Sequence, residues 1–280
     1  MSSIGVAFAG GRSDALLAFV ERAEALGFDE AWIADDLGWR ESLGSVADAQ
    51  AATDHLAIGL GPLHAGAHDP VTVATEITSL ARLHPGRLTV AFGTHPGALG
   101  QGPLERDPVP EEVVTTVRML LAGEVVNGCG SHVRIDHAAL SFPPDEPPLI
   151  AISAADRRGV GVAARRADAV LFPAGTGPDL IEDALSALTG LRSPCDPVTV
   201  IAHVGLALNK DGARRAATAL GGGNPAECAA RVGQFLRAGV DRLILVAAGS
   251  EAAQYERFAG EVMPLVGRLH PEAAVRSARG

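Results

Sequence analysis

The chain has 280 residues, 47% of them hydrophobic and 20% charged, with a formal net charge of −10, which supplies a large core and argues against disorder except at the ends. Lys210 is the only lysine and the arginines stand singly or in pairs rather than in a stripe, so nucleic acid is not an expected partner. Cys129, Cys195 and Cys228 are far apart and form no CxxC pair, and no signal-like start or membrane-length apolar run occurs, so a reducing cytoplasm without membrane or structural zinc is expected.

A first strand is predicted over Ile4–Ala9. After Ser13, a plausible N-cap, Leu16, Phe19, Val20, Ala23 and Leu26 recur at helical spacing, and Gly27 ends the helix. "DEAWIAD" reads as the second strand, followed by a helix around Ser42–Ala52. "HLAIGLG" is the third strand and Val71–Leu83 its helix; "RLTVAFG" is the fourth and Glu111–Ala122 its helix. A polar insertion, "SHVRIDHAALSF", carries a hairpin signal. "PLIAISA", "ADAVLFP", "VTVIAHVGLAL" and "DRLILVA" are strands five to eight, with helices over Asp156–Arg166 and Pro178–Leu188, two short helical stretches after strand seven, and a closing helix over Glu251–Val266.

Eight apolar strands alternating with amphipathic helices argue for the α/β class. The predicted architecture is a (β/α)8 TIM barrel with a hairpin insertion after the fourth unit, spanning 1–280 as one domain. An open doubly wound sheet is the alternative, although "FAGGRSDA" lacks the G-x-G-x-x-G spacing of a dinucleotide fold. In a barrel the chemistry lies where strands end and helices begin.

Several of those strand ends carry reactive or permissive residues. "ADDLGW" puts Asp35 and Asp36 at the second, where either one carboxylate faces a pocket while the other caps the next loop, or both are turn and capping residues. "GLGPLHAGAHDP" follows the third; Gly59, Gly61 and Gly66 permit a bulge or a close backbone approach to a ligand, and Pro62 would end regular pairing. His64 and His68 lie four apart but in a loop, so no metal pair is expected; His68-Asp69-Pro70 reads instead as a helix start. "FGTHPGALGQGP" leaves the fourth strand, permissive enough to bend around a flat ligand, with His95 as its one side chain suited to proton transfer near neutral pH. "GGGNPAE" is phosphate-binding in appearance, yet Asn224, Pro225 and Glu227 make an ordinary helix start. No G-x-S-x-G elbow or P-loop occurs.

The ordered segments "AEALGFDEAWIADD", "DHLAIGLGPLHAGAHDPVTVATEITSLARLHPGRLTVAFGTHPG" and "GGGNPAECAARVGQFLRAGVDRLILV" resemble the luciferase-like superfamily of flavin- and deazaflavin-dependent oxidoreductases. The pattern is most similar to the branch with methylenetetrahydromethanopterin reductase and coenzyme F420-dependent dehydrogenases. That resemblance implies a hydride transfer between coenzyme F420 and a small organic substrate. The alternatives it leaves are an FMN-dependent monooxygenase and an inactive flavin-binding member. It also implies a homodimer, paired through helices near strands two and three. Its strand-three bulge, with an unusual peptide bond behind the ring, matches Gly61, Pro62 and Leu63, and the Leu63 side chain is expected to meet the ring. Gly93, Thr94, His95 and Gly97 match the segment along the cofactor. Ser153 and Gly159 match the region that holds its phosphate-bearing tail. The deazaflavin enzymes commonly read Asp-His at strand two; this chain has Asp35–Asp36, so the acid–base role falls to Asp36 as a proton acceptor, to His95 or to His64, unless the substrate differs or activity is lost; His95 and Asp36 are the leading candidates.

Overall fold

The computed structural model describes residues 2–8, 10, 13–35, 42–93, 111–130, 133–186, 197–208, 220, 224–247 and 251–269. Strand β1 (Ser3–Phe8) leads to α1 (Ser13–Ala25), where Leu16, Val20 and Ala23 of the predicted stripe are buried. β2 (Glu30–Ile33) and α2 (Ser42–Ala51) follow. β3 (Ala57–His64) ends in a 3-10 turn over Ala65–Ala67, and α3 (Pro70–Leu83) starts as the sequence predicts, the Asp69 carboxylate accepting the Thr72 N–H at 2.8 Å. β4 (Leu88–Gly93) and α4 (Glu111–Leu121) complete the first half.

β5 (Val126–Cys129) and β6 (Arg134–Ala138) form a separate antiparallel pair. It begins upstream of the predicted hairpin, at the apolar Val126. The second half runs through β7 (Leu149–Ser153), α5 (Arg157–Arg166), β8 (Ala169–Phe172), α6 (Pro178–Ser186) and β9 (Thr199–Leu206). α7 (Pro225–Arg237) is capped by Asn224, whose side chain accepts the Ala226 N–H at 3.0 Å. β10 (Arg242–Ala247) is the last strand. The predicted closing helix is two, α8 (Glu251–Arg257) and α9 (Met263–Leu269), joined by a π-helical turn over Phe258–Val262.

The eight strands other than β5 and β6 form a closed parallel barrel, ordered β1-β10-β9-β8-β7-β4-β3-β2. Closure excludes the open-sheet alternative: β1 pairs with β2 on one side (Gly5 opposite Glu30) and with β10 on the other (Ser3 opposite Arg242). Tyr255 of α8 ties the two ends of the chain, its hydroxyl 2.7 Å from the Ala7 carbonyl and accepting the Ala247 N–H at 3.0 Å.

Strand alternation divides the apolar residues into two cores. Val6, Ile33, Leu60 and Phe92 face the helices. Ala7, Trp32, Ala91, Ala151, Ala169, Leu171, Ile201 and Ile244 fill the barrel interior. The interior is therefore one large indole among small and branched side chains. The indole fits because Gly59 opposes it: a Cβ there would lie 2.2 Å from the Trp32 ring. Among the described residues no helix is long and apolar enough to cross a membrane.

Candidate active site at the barrel mouth

The lower end of the barrel carries a closed polar cluster. The Glu30 carboxylate, almost fully buried, accepts from Trp32 Nε1 and from Ser3 Oγ, each at 2.8 Å, and Arg242 stands 3.9 Å away. Burial pushes the Glu30 carboxyl up, against the opposing pull of Arg242, Trp32 and Ser3. Arg242 also donates to Thr89 Oγ1 at 3.2 Å. This cluster holds the indole upright as the floor on which the upper barrel rests.

Above the floor, β3 breaks its ladder. Gly61 has φ +115°, the Gly61–Pro62 bond is cis, and the pairing with β4 skips between Leu60 and Leu63. A Cβ on Gly61 would lie 2.4 Å from the Ala91 carbonyl oxygen, so only glycine fits. Past the bulge the ladder resumes, with Leu63 opposite Phe92 and His64 opposite Gly93. The sequence predicts the end of this strand at Gly61, because Pro62 has no N–H to donate. The observed strand continues to His64 because the bulge absorbs the proline.

The bulge also corrects the expected role of Leu63. Its side chain is fully buried in the helix-facing core, beside residues such as Leu60 and Phe92. It does not line the mouth, because the extra residue in β3 turns it outward. The inward positions belong to smaller groups. A Cβ built on Gly93 would fall 2.9 Å from Pro62 Cβ and 2.8 Å from Ser153 Cβ. Pro62, Gly93 and Ser153 thus stand side by side on β3, β4 and β7 as a smooth wall, suited to the face of a flat ring.

Asp35 forms the rim beside this wall. Its carboxylate is buried, accepts the His64 N–H at 3.3 Å and lies 3.3 Å from His68 Nε2. The bond to Asp35 raises the pKa of His68, against the opposing effect of burial. Of the two neighbouring carboxylates, Asp35 therefore ties the end of β2 to the loop after β3. His64 Nδ1 is buried with no hydrogen-bond partner among the described residues. No group of three or more possible metal ligands occurs among the described residues.

Gly159, which the resemblance matches to the region that holds the cofactor's tail, lies in the first turn of α5, where its N–H donates to Asp156 Oδ1 at 2.7 Å and the helix is capped. A Cβ at this position would lie 2.8 Å from Ala154 Cβ, which gives the glycine a packing reason. Arg157 beside it is paired with Asp183. Four sequence candidates, Asp36, Thr94, His95 and Gly97, lie outside the described residues.

One residue at the mouth was not singled out from the sequence. His203 follows the inward Ile201 on β9 by two positions, so it faces the interior one step higher. Its ring meets Trp32 edge-on, centroids 5.0 Å apart at 83°. Nε2 is buried with no partner among the described residues, and burial pushes the imidazole down to about 4. The available signal was a histidine inside the apolar run "VTVIAHVGLAL", on the same face as Ile201. A cleft of about 640 Å³ near the start of β7 is a weaker site: its Arg118 and Arg166 are already paired with Asp168 and Glu111.

The sequence matches the family described as luciferase-like monooxygenase over residues 7–220. It is 29% identical over 175 residues to an F420-dependent hydroxymycolic acid dehydrogenase of Mycobacterium tuberculosis, covering 56% of this chain and 48% of that protein. It is 27% identical over 187 residues to an F420-dependent glucose-6-phosphate dehydrogenase of Beutenbergia cavernae, covering 61% of this chain and 55% of that protein. The aligned part spans about half the length of each of these relatives. Among solved structures, an F420-dependent secondary alcohol dehydrogenase in complex with an F420-acetone adduct superposes with a TM-score of 0.80 at 18% identity, covering 95% of this chain and 99% of that one.

Proposed function

Because the chain belongs to the luciferase-like monooxygenase family, we propose that it is an oxidoreductase that transfers a hydride between coenzyme F420 and a small organic substrate at the barrel mouth. The observation that carries this reading is the wall of Pro62, Gly93 and Ser153 behind the Gly61 bulge, where no side chain is larger than a proline ring. The F420-dependent relatives supply the choice of cofactor. When bound, the deazaflavin gives or accepts the hydride.

The chain's own residues orient, enclose and move protons. Gly61, Pro62, Gly93, Thr94 and Gly97 form the bed for the ring, with Leu63 contributing through its place in the bulge. Ser153 completes that wall on the tail side of the ring, and the α5 start around Gly159 faces the tail. Asp156 occupies the Gly159 N–H, so the anionic charge falls to neighbouring arginines such as Arg158. His95 and Asp36 are the acid–base groups. An imidazole at the strand-two rim, missing at position 36, is supplied by His68 on Asp35. The protein works in the cytoplasm as a homodimer, the whole of 1–280 forming one unit; light scattering at micromolar concentration should give the mass of two chains.

Fluorescence titration tests the cofactor. Saturable binding of F420 with no comparable affinity for FMN is expected; the reverse order would make this an FMN enzyme. In the F420-loaded protein, His95→Asn should cut turnover about 10²-fold with little change in cofactor affinity. Full activity in His95→Asn together with loss in His68→Gln would move the proton-transfer role to His68.

A further inference from the structure

We propose that His203 is a hydrogen-bonding anchor for the uncharged, imide-like edge of the ring seated in the mouth, an inference that rests on the flat-ring reading above. Three observations converge on it. The residue stands on the inner face of β9, one step above Ile201 of the interior core, so its ring rises from the packed layer toward the open end. Trp32 holds that ring edge-on at 5.0 Å, and Trp32 is itself fixed by Glu30 and admitted by Gly59. The imidazole is therefore placed by a rigid stack rather than left to swing.

The third observation is an unmet bond. Nε2 is buried with no partner among the described residues. Buried polar nitrogens in folded proteins are nearly always paired, and each exception calls for a missing partner. Packing does not demand a histidine here. The interior core around Trp32 is alanine, leucine and isoleucine, where an aliphatic side chain would leave nothing unmet. The floor charges, Glu30 and Arg242, are engaged with each other and with Trp32, Ser3 and Thr89, so they make no claim on the ring.

The chemistry of the group selects its ligand. A neutral imidazole offers one donor and one acceptor. It pairs with a carbonyl or an imide N–H and gives little to a phosphate or carboxylate. The pyrimidinedione edge shared by deazaflavins and flavins is such a group. The lower layers being filled by Trp32 and its neighbours, that edge would be the deepest polar part of the ligand.

The test compares wild type with His203→Leu and His203→Gln, titrated with F420 and with FMN by fluorescence. His203→Leu is expected to weaken the ring ligand that wild type binds by about tenfold, the usual cost of one lost hydrogen bond in a closed site. His203→Gln, which keeps a donor and an acceptor, should stay within about threefold of wild type on the same hydrogen-bond scale. Unchanged affinity in folded His203→Leu overturns the inference while leaving the F420 reading intact. Binding of FMN instead of F420 overturns that reading, and the FMN affinities then judge His203. Binding of neither ligand by wild type removes both. Should His203→Leu fail to fold, side-chain nitrogen NMR of wild type decides: the His203 ring signals, assigned by their absence in His203→Gln, must move on saturation, and fixed signals overturn the proposal.

Discussion

The two ends of the barrel interior treat polar groups in opposite ways. At the lower end Glu30, Trp32, Ser3, Arg242 and Thr89 meet one another, and a buried carboxylate is satisfied from several sides. At the upper end the side chains shrink to Pro62, Gly93 and Ser153, and His64 Nδ1 and His203 Nε2 have no partner among the described residues. Both ends belong to the same strands, so the contrast is not one of fold. The lower end uses polarity for a unique packing; the upper end keeps smooth space and unmet hydrogen-bonding capacity, as a binding site does.

Substitutions at the two ends should therefore separate stability from binding. The largest effect is expected from Gly59→Val, whose Cβ would stand 2.2 Å from the Trp32 indole. Unfolding in urea should show a loss of about 3 kcal/mol or more, the upper range for overpacking a barrel core. Ser153→Ala at the mouth should change stability by less than about 0.5 kcal/mol in the same assay. Equal losses at the two positions would abolish the distinction.

Next in size is Glu30→Leu, which leaves the Trp32 N–H and the Ser3 hydroxyl without their acceptor. A loss of about 2–3 kcal/mol is expected, against about 1 kcal/mol for Glu30→Gln, which keeps an acceptor oxygen. Calorimetric unfolding of the pair measures it. Ser153→Phe works the other way: ring-ligand affinity should fall at least about tenfold while melting stays near wild type, because the added ring fills space the mouth keeps open.

The smallest effects are pH slopes of opposite sign. The His203 pKa falls from the ordinary 6.5 to about 4 on folding, through burial. Between those values the unfolded chain binds a proton that the folded chain does not. Stability therefore declines as pH drops through that window and is fully present above it. His68 is raised by its bond to Asp35, against the opposing effect of burial. Its contribution is complete below the ordinary value and is lost as pH rises through the folded one. Urea midpoints across pH should lose part of the acid slope in His203→Leu and part of the neutral-to-alkaline slope in His68→Gln. Slopes identical to wild type in both variants would contradict the assignments.

Much of this molecule is legible in local chemistry. The helix starts at Asp69 and Asn224 follow from a capping side chain before a proline, and the observed bonds to Thr72 and Ala226 are the ones such residues make. The bulge at Gly61–Pro62 lies where the family resemblance implies it; the glycine permits it, while Pro62 by itself reads as the end of the strand. The orientation of Leu63 and the packing of Gly159 are set by groups outside their own positions. Leu63 changes sides because an inserted residue upstream shifts strand parity. Gly159 is small because Ala154 presses on it and Asp156 takes its N–H.

The order of strands and helices, their caps and the permissive backbone of β3 are set locally, since each depends on residues a few positions apart. What faces the mouth depends on the closed barrel as a whole. His203 and Trp32 meet because β9 and β2 lie across one closed barrel, and Glu30 finds Arg242 because β1 lies between β2 and β10. Strand register and barrel closure set those meetings, and a pattern of period two specifies which residues alternate without saying which partners they reach.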